Sequence, residues 1–544
     1  MPDSDRRVLA GVLALSAVAL LARVVALGAR VTHWDESRVG YWILRYAATG
    51  EYTYRAGLGG PFLVHANRLV FDLVGASDAS LRVVVALCGG LLPLTAWLFR
   101  ERLRPAETVS LAAVLALNPL LLYYSRFARP TVLLAAFAFA AFAFFVRARE
   151  TGARRHAYAG VIALALAFAT TRVVLVYVLA WGLAAVLALD PFLLRARVRG
   201  ESRAEALVAR LDAVHRGLRS WGADVAGGAA LFLAVLGLAY APRPDLWRAL
   251  GDPARLPELV RATGHLIRTS LDTSAWEHSH SYVEFLRGDL SALAAGAAVV
   301  CALGVAGFLV DRYGEGGPRP LVSFAGYWTL VALVVLPIVP SVQVPWTMAH
   351  VVVALALPAA VGAGRLVALG ASALRDGDRV SGAVAGVVAL CVVGWVVASG
   401  ASAAFVHPQS GPLVEYGQPS GNLDAPLADA ETAIAANDGG TDVLYYGEHF
   451  HATTTPSNAP GASFYEPKHW LWRMPLPWYF ERMGADTTSA TSPSALDGET
   501  PPVVVTLAKN YGEVNSRLDG YHASAYRLTQ TDTATVFFVR NETA

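Results

Sequence analysis

Two adjacent carboxylates, Asp35 and Glu36, follow the first hydrophobic run of the chain, in His33-Trp34-Asp35-Glu36. A charge at the hydrocarbon edge is costly unless it is solvated or used. A carboxylate at the water edge can accept a proton from an acceptor hydroxyl or amide, which makes Asp35 and Glu36 the catalytic candidates. Neighbours on a helix or turn point in different directions, so one is expected to face a site and the other to orient it. The alternative is a solvated cap on the first span.

Other residues suit an anion. Tyr123-Tyr124-Ser125-Arg126-Phe127-Ala128-Arg129-Pro130 places two guanidiniums beside phenols, and the planar fork of Arg matches phosphate oxygens. Tyr124, Arg126 and Arg129 are therefore substrate-binding candidates; the competing reading is a set of interfacial anchors. Arg172, preceded by two threonines, and Arg55, in Glu51-Tyr52-Thr53-Tyr54-Arg55, join them. His278 and His280 are spaced poorly for a helical metal pair, and a structural or substrate-binding role is expected for His278. His350, one turn beyond Trp346, is a further substrate-binding candidate. Trp470, Trp472, Trp478 and Tyr479 either stack on sugar faces or pack a domain onto the rest of the chain. No P-loop, dinucleotide fingerprint or nucleophile elbow is present. No cofactor is expected, and a divalent metal is left open.

The elements that position these residues are membrane elements. The chain of 544 residues is 55% hydrophobic and only 16% charged, against roughly 25% charged in soluble domains. Its apolar runs approach the roughly 20 residues that cross a bilayer, and about eleven can be read: 8–29, 80–99, 107–125, 131–147, 157–171, 173–189, 224–241, 290–310, 320–340, 347–369 and 380–403. The fifth and sixth form one run broken at Thr170-Thr171-Arg172. Arginines fill alternate loops, so those loops are expected in the cytoplasm with the N-terminus. The loop 30–79, the turn 123–130, the segment 242–289 and everything after residue 403 then lie outside. The arginine-rich helical run 199–220 either lies on the inner leaflet or is a solvated linker. Nucleic acid is not an expected partner, because the arginines sit in separate short loops rather than on one face.

From 404 to 544 the composition changes to sixteen acidic against seven basic residues. Short apolar runs at 442–446, 502–506, 526–529 and 533–540 read as strands and 478–483 as a helix, giving a small α/β domain. The three cysteines, Cys88, Cys301 and Cys391, all lie in apolar runs, and no disulfide framework is expected. Asn541-Glu542-Thr543 is a glycosylation sequon.

Trp-Asp-Glu after the first span, the long outer loop and Tyr-Tyr-Ser-Arg-Phe together resemble the GT-C superfamily of membrane glycosyltransferases, in its protein O-mannosyltransferase-like branch. The chain is similar as well to the archaeal flippase-activity-associated family of N-glycosylation. The likeness rests on Asp35-Glu36, Gly40-Tyr41-Trp42, Gly50-Glu51-Tyr52-Thr53-Tyr54-Arg55, Gly60-Pro61-Phe62-Leu63, Leu91-Leu92-Pro93-Leu94, and Asn118-Pro119 running to Arg126. The resemblance implies a GT-C-like polytopic helical fold with a small outer α/β domain, a polyprenyl- or dolichyl-phosphate-linked sugar as donor, and an exterior glycan or protein as acceptor. It implies Asp35 as the catalytic position and Arg126 as a phosphate ligand. Two positions depart from the pattern: Gly59 stands where relatives have His, and Arg129-Pro130-Thr131 lacks the second outer-loop acid. That absence leaves open a non-catalytic accessory to the translocation of lipid-linked sugars. A transporter, which predicts paired repeats with broken spans and buried acids, fits less well.

Overall fold

A computed structural model of the chain describes residues 3–541 apart from 191, 194–199, 201, 275–279, 315–316, 341, 420–422, 454–455, 457–466, 499 and 530–533. His278 therefore lies outside the described residues. The first apolar run forms α1 (Asp3–Val24), and the loop that follows, expected to be the outer one, contains two helices, α2 (Trp34–Thr49) and α3 (Pro61–Val74). Then come α4 (Asp78–Leu91), α5 (Pro105–Leu117), α6 (Pro119–Tyr124), α7 (Pro130–Thr151), α8 (Arg154–Phe168) and α9 (Val174–Leu187). The arginine-rich run is α10 (Arg203–Ser220), followed by α11 (Gly222–Tyr240), α12 (Asp245–Gly251) and α13 (Leu256–Ser270). The remaining long helices are α14 (Tyr282–Tyr313), α15 (Pro320–Val335), α16 (Ala349–Arg375) and α17 (Arg379–Ala401).

Among the described residues, eight helical stretches are long and apolar enough to cross a membrane: Asp3–Val24, Asp78–Phe99, Pro130–Thr151, Gly222–Tyr240, Tyr282–Tyr313, Pro320–Ile338, Pro345–Arg375 and Arg379–Val406. The third, fifth and sixth of the eleven expected spans are shorter. The third is cut at Asn118-Pro119, where Asn118 Oδ1 accepts the Leu121 N–H at 3.0 Å and its amide donates to the Gly296 carbonyl at 3.1 Å. The fifth and sixth stop at Phe168 and restart at Val174, around the Thr170-Thr171-Arg172 break. At about 1.5 Å per residue such helices reach roughly 20 Å, less than the hydrocarbon thickness. They lean instead on their neighbours.

The centre of the helical part is α16, whose N-terminal half is buried on all sides from Ala349 to Gly362. Glycines let α14 cross it closely: a Cβ on Gly307 would sit 2.0 Å from the Pro358 carbonyl oxygen. A second close approach shapes the outer loop. The Phe62 N–H donates to the Ala169 carbonyl at 3.0 Å, and the Gly60 N–H donates to Thr170. A Cβ at Gly60 would lie 2.2 Å from the Ala169 oxygen. The loop is thereby pinned to the α8–α9 turn.

Beyond α17 and a π turn at Ser402–Val406 come α18 (Asp424–Ala435), α19 (Lys468–Leu471), α20 (Leu476–Met483), α21 (Tyr511–Asn515) and a five-stranded sheet. Its strands are β1 (Val443–Tyr446), β2 (Thr487–Ala490), β3 (Val503–Leu507), β4 (Tyr521–Tyr526) and β5 (Thr535–Arg540), in the order β2-β1-β3-β5-β4. The β1–β2 and β1–β3 pairs are parallel, and β3–β5 and β4–β5 are antiparallel. The central strands are buried on both faces, which is why they read as continuous apolar runs. The edge strand β2, Thr-Thr-Ser-Ala, carries no such run and escaped the sequence reading. The strand expected at 526–529 lies instead at Tyr521–Tyr526, where alternating exposure of an edge strand hides the apolar signal.

This domain docks through α20. Trp478 Nε1 and Arg482 Nη1 donate to Asp78 Oδ1 at 2.8 and 3.0 Å, and the Tyr479 hydroxyl donates to Asp78 Oδ2 at 2.9 Å. Trp478 is fully buried and lies so near Gly40 of α2 that a Cβ there would be 2.6 Å from its ring.

Candidate active site

The two adjacent carboxylates diverge, as neighbours on a helix must. His33 caps α2: its Nδ1 accepts the Asp35 N–H at 3.0 Å, and Glu36 Oε2 accepts the His33 N–H at 2.9 Å. Glu36 is turned inward and fully buried. Arg30 Nη2 meets its Oε2 at 2.7 Å, Arg82 Nε meets its Oε1 at 2.8 Å, and the Ala128 N–H donates to Oε1 at 2.8 Å. Burial alone would raise its pKa, but the Arg30 and Arg82 charges hold it far below the usual carboxylate range. Glu36 is a clasp between the start of α2, α4 and the turn before α7.

Asp35 is turned outward, with its side chain 28% exposed. It lines a cavity of about 210 Å³ with Arg129, Arg172, Trp346, Thr347 and His350, closed on one side by residues 57–60. Arg129 Nη1 is 2.6 Å from Asp35 Oδ2, and the guanidinium stacks 3.3 Å over the Trp346 ring. Burial pushes the Asp35 carboxyl up, yet Arg129, and after it His33 and Arg38, hold it below its ordinary value. Arg129 Nε has no hydrogen-bond partner among the described residues. Across the cavity, Arg172 Nη1 donates to the Asp272 carbonyl at 2.6 Å, held by the same α8–α9 turn that grips the outer loop. His350, at the start of α16, pairs through Nδ1 with the Tyr177 hydroxyl at 2.9 Å.

Other expected site residues lie elsewhere. Arg126 is not on the cavity: Nη1 donates to the Ala22, Arg23 and Val25 carbonyls at 3.2, 3.0 and 2.7 Å, and Nη2 donates to Ala26 at 2.9 Å. These are carbonyls left open at the end of α1, and an arginine is drawn to them by the helix dipole. The Tyr124 hydroxyl is buried against the Leu413 carbonyl at 2.6 Å. The Arg55 guanidinium lies 3.5 Å over the Trp42 ring, behind the loop. Trp470, Trp478 and Tyr479 are buried packing residues, whereas Trp472 is partly open and stacks on His449. Among the described residues no group of three or more His, Cys, Asp or Glu side chains could hold a metal ion.

The whole chain superposes on the crystal structure of ArnT from Cupriavidus metallidurans, in the apo state and bound to undecaprenyl phosphate. The TM-score is 0.57 for both, with 17% and 18% identity and 97% of each chain covered. The chain has the GT-C fold. Within that fold, residues 59–199 match the family model described as dolichyl-phosphate-mannose-protein mannosyltransferase. Residues 423–540 match the Agl23 flippase-associated protein C-terminal domain. No curated protein matches the chain.

Sequence reasoning missed the partners of this site. Nothing in the local sequence marks Trp346 or position 415 as part of a site, although Trp346 stacks under Arg129 and Glu415 lies 3.9 Å from it. The only signal was an acid in a Gly- and Pro-rich stretch just past the last span; its nearness to Asp35 is purely tertiary.

Proposed function

We propose that the protein is a membrane glycosyltransferase that moves a sugar from a polyprenyl- or dolichyl-phosphate donor to an exterior acceptor. The observation that carries this is the cavity's lining, where one partly exposed carboxylate, Asp35, faces two guanidiniums, Arg129 and Arg172. A lipid-phosphate sugar is a phosphodiester with a single negative charge, which such a cavity complements. The residues match the needs of an inverting displacement. Arg129 and Arg172 grip the phosphate. As Arg129 turns to it, Asp35 loses its counter-ion, becomes a stronger base and takes the acceptor proton. The acceptor oxygen bonds to the anomeric carbon, the carbon–phosphate-oxygen bond breaks, and its electron pair leaves on the lipid phosphate under the two guanidiniums. His350 and Trp346 border the sugar. The match of residues 59–199 to a mannosyltransferase model and the ArnT-like fold support the donor class. The arginine-rich loops support a cytoplasmic N-terminus and an exterior sheet domain.

The test is mass spectrometry of exterior glycoproteins and lipid carriers in cells lacking the gene, complemented with wild type or Asp35→Asn. Loss of one sugar, restored by wild type alone, is the expected outcome and names the sugar. Restoration by both removes Asp35 from the chemistry. Accumulation of complete lipid-linked glycan on the inner face would point to the accessory role.

A further inference from the structure

Glu415 stands in Leu413-Val414-Glu415-Tyr416-Gly417, beyond the last spanning helix, and its side chain is only 5% exposed. Its Oε1 meets two groups of the site, His33 Nε2 and, at 3.9 Å, Arg129 Nη1. The same Arg129 nitrogen is 2.6 Å from Asp35. One guanidinium is thus shared between two carboxylates, close to one and within a short swing of the other.

His33 fixes this geometry. Its Nδ1 is occupied as acceptor of the Asp35 N–H. Burial and then the Arg129 charge push its pKa down to about 3, so the ring is neutral and its one N–H, on Nε2, is aimed at Glu415. Gly417 closes the contact: a Cβ there would lie 2.9 Å from the His33 ring and 3.1 Å from Glu415 Oε1. The titratable and charged groups facing Glu415 are His33, Asp35, Tyr123, Tyr124, Arg129 and its neighbour Tyr416. The Tyr123 and Tyr124 hydroxyls donate to the Pro408 and Leu413 carbonyls, and burial pushes Tyr416 up to about 12. Near neutral pH only Glu415 changes charge, because burial lifts its carboxyl to about 7 against the pull of Arg129.

We propose that Glu415 is the second carboxylate of this site, a positioning residue that shares Arg129 with Asp35 while the site is empty and yields it, taking up a proton, when a lipid phosphate binds. The proposal rests on the reading of Arg129 as a phosphate ligand. It supplies from the end of the membrane part the acid that the 129–131 turn lacks. A phosphate drawing on Arg129 leaves an ionised Glu415 buried without its cation, so the bound state favours the protonated form. A carboxyl titrating near 7 is about nine-tenths neutral at pH 6 and about one-tenth neutral at pH 8. Apparent affinity scales with the competent fraction, so binding weakens about tenfold over that range.

The experiment is calorimetric titration of the full chain in nanodiscs with dolichyl phosphate mannose, whose single charge is constant between pH 6 and 8. Wild type is expected to bind about tenfold more weakly at pH 8 than at pH 6. Glu415→Gln is expected to bind at both values as wild type does at pH 6. A second measurement needs no variant: at pH 7, titration in two buffers of different ionisation enthalpy should show about half a proton taken up per lipid bound. Binding by wild type with no pH slope and no proton uptake, or an unchanged slope in Glu415→Gln, overturns the proposal. Failure to bind at any pH overturns the phosphate reading of Arg129, and this inference with it.

Discussion

Asp35 and Glu36 differ in one property that decides their roles: which side of α2 they face. Glu36 is enclosed by two guanidiniums and two backbone N–H groups, so removing its charge strands two buried arginines. Breaking such a pair costs roughly 3–5 kcal/mol. Glu36→Gln is therefore expected to lower the thermal midpoint in detergent sharply, whereas Asp35→Asn should leave it nearly unchanged and cut transfer by about 10²- to 10⁴-fold. Equal midpoints for the two variants would contradict the division. The sequence made the pair legible as chemistry and implied that its members diverge. It could not say which faced the cavity, because that depends on Arg82 and Ala128, far along the chain. Arg126 and Arg129 pose the same problem in reverse: residue type marks both as phosphate ligands, but open carbonyls at the end of α1 consume the first.

At the scale of elements, the site is set by how closely the outer loop lies against the α8–α9 turn. Gly60 permits that contact, and Arg172 rides on the other side of it. Gly60→Ala forces a methyl into the Ala169 carbonyl, an overpacking worth about 1–3 kcal/mol. The loop should lift, exposing residues 51–60 to protease and weakening binding of dolichyl phosphate several-fold. Wild-type protection and affinity would mean that the contact is slack. The long helices and the Thr170-Thr171-Arg172 break were legible because hydropathy reports them directly. The helices of the outer loop were not, since their polar and aromatic residues have no lipid-facing period and are ordered by contacts with the membrane part and α20.

At the scale of the whole molecule, Asp78 holds the sheet domain through Trp478, Tyr479 and Arg482. The Tyr479 hydroxyl also accepts the Thr32 N–H at 3.0 Å, three residues before Asp35. Asp78→Ala leaves these donors without their acceptor, at about 1–3 kcal/mol for the buried ones. Faster proteolysis between α17 and β1 is expected, with transfer reduced and the membrane part still folded. Unchanged cleavage and activity would show the domain to be a passive attachment. Strand content was visible in the sequence, because buried strands read as apolar runs, but the docking was not: no local pattern announces that Trp478 seats on Gly40.

The carbonyl of Gly417 accepts the Trp34 N–H at 2.9 Å, and Gln418 reaches back to both Arg30 and Val31. The first turn of α2 is thus finished by residues that leave the ribosome nearly 400 positions later. Until residues 417 and 418 are made, the start of the helix that carries Asp35 and Glu36 lacks these partners. Closure of the segment after α17 over the start of α2 is therefore the step that completes this turn.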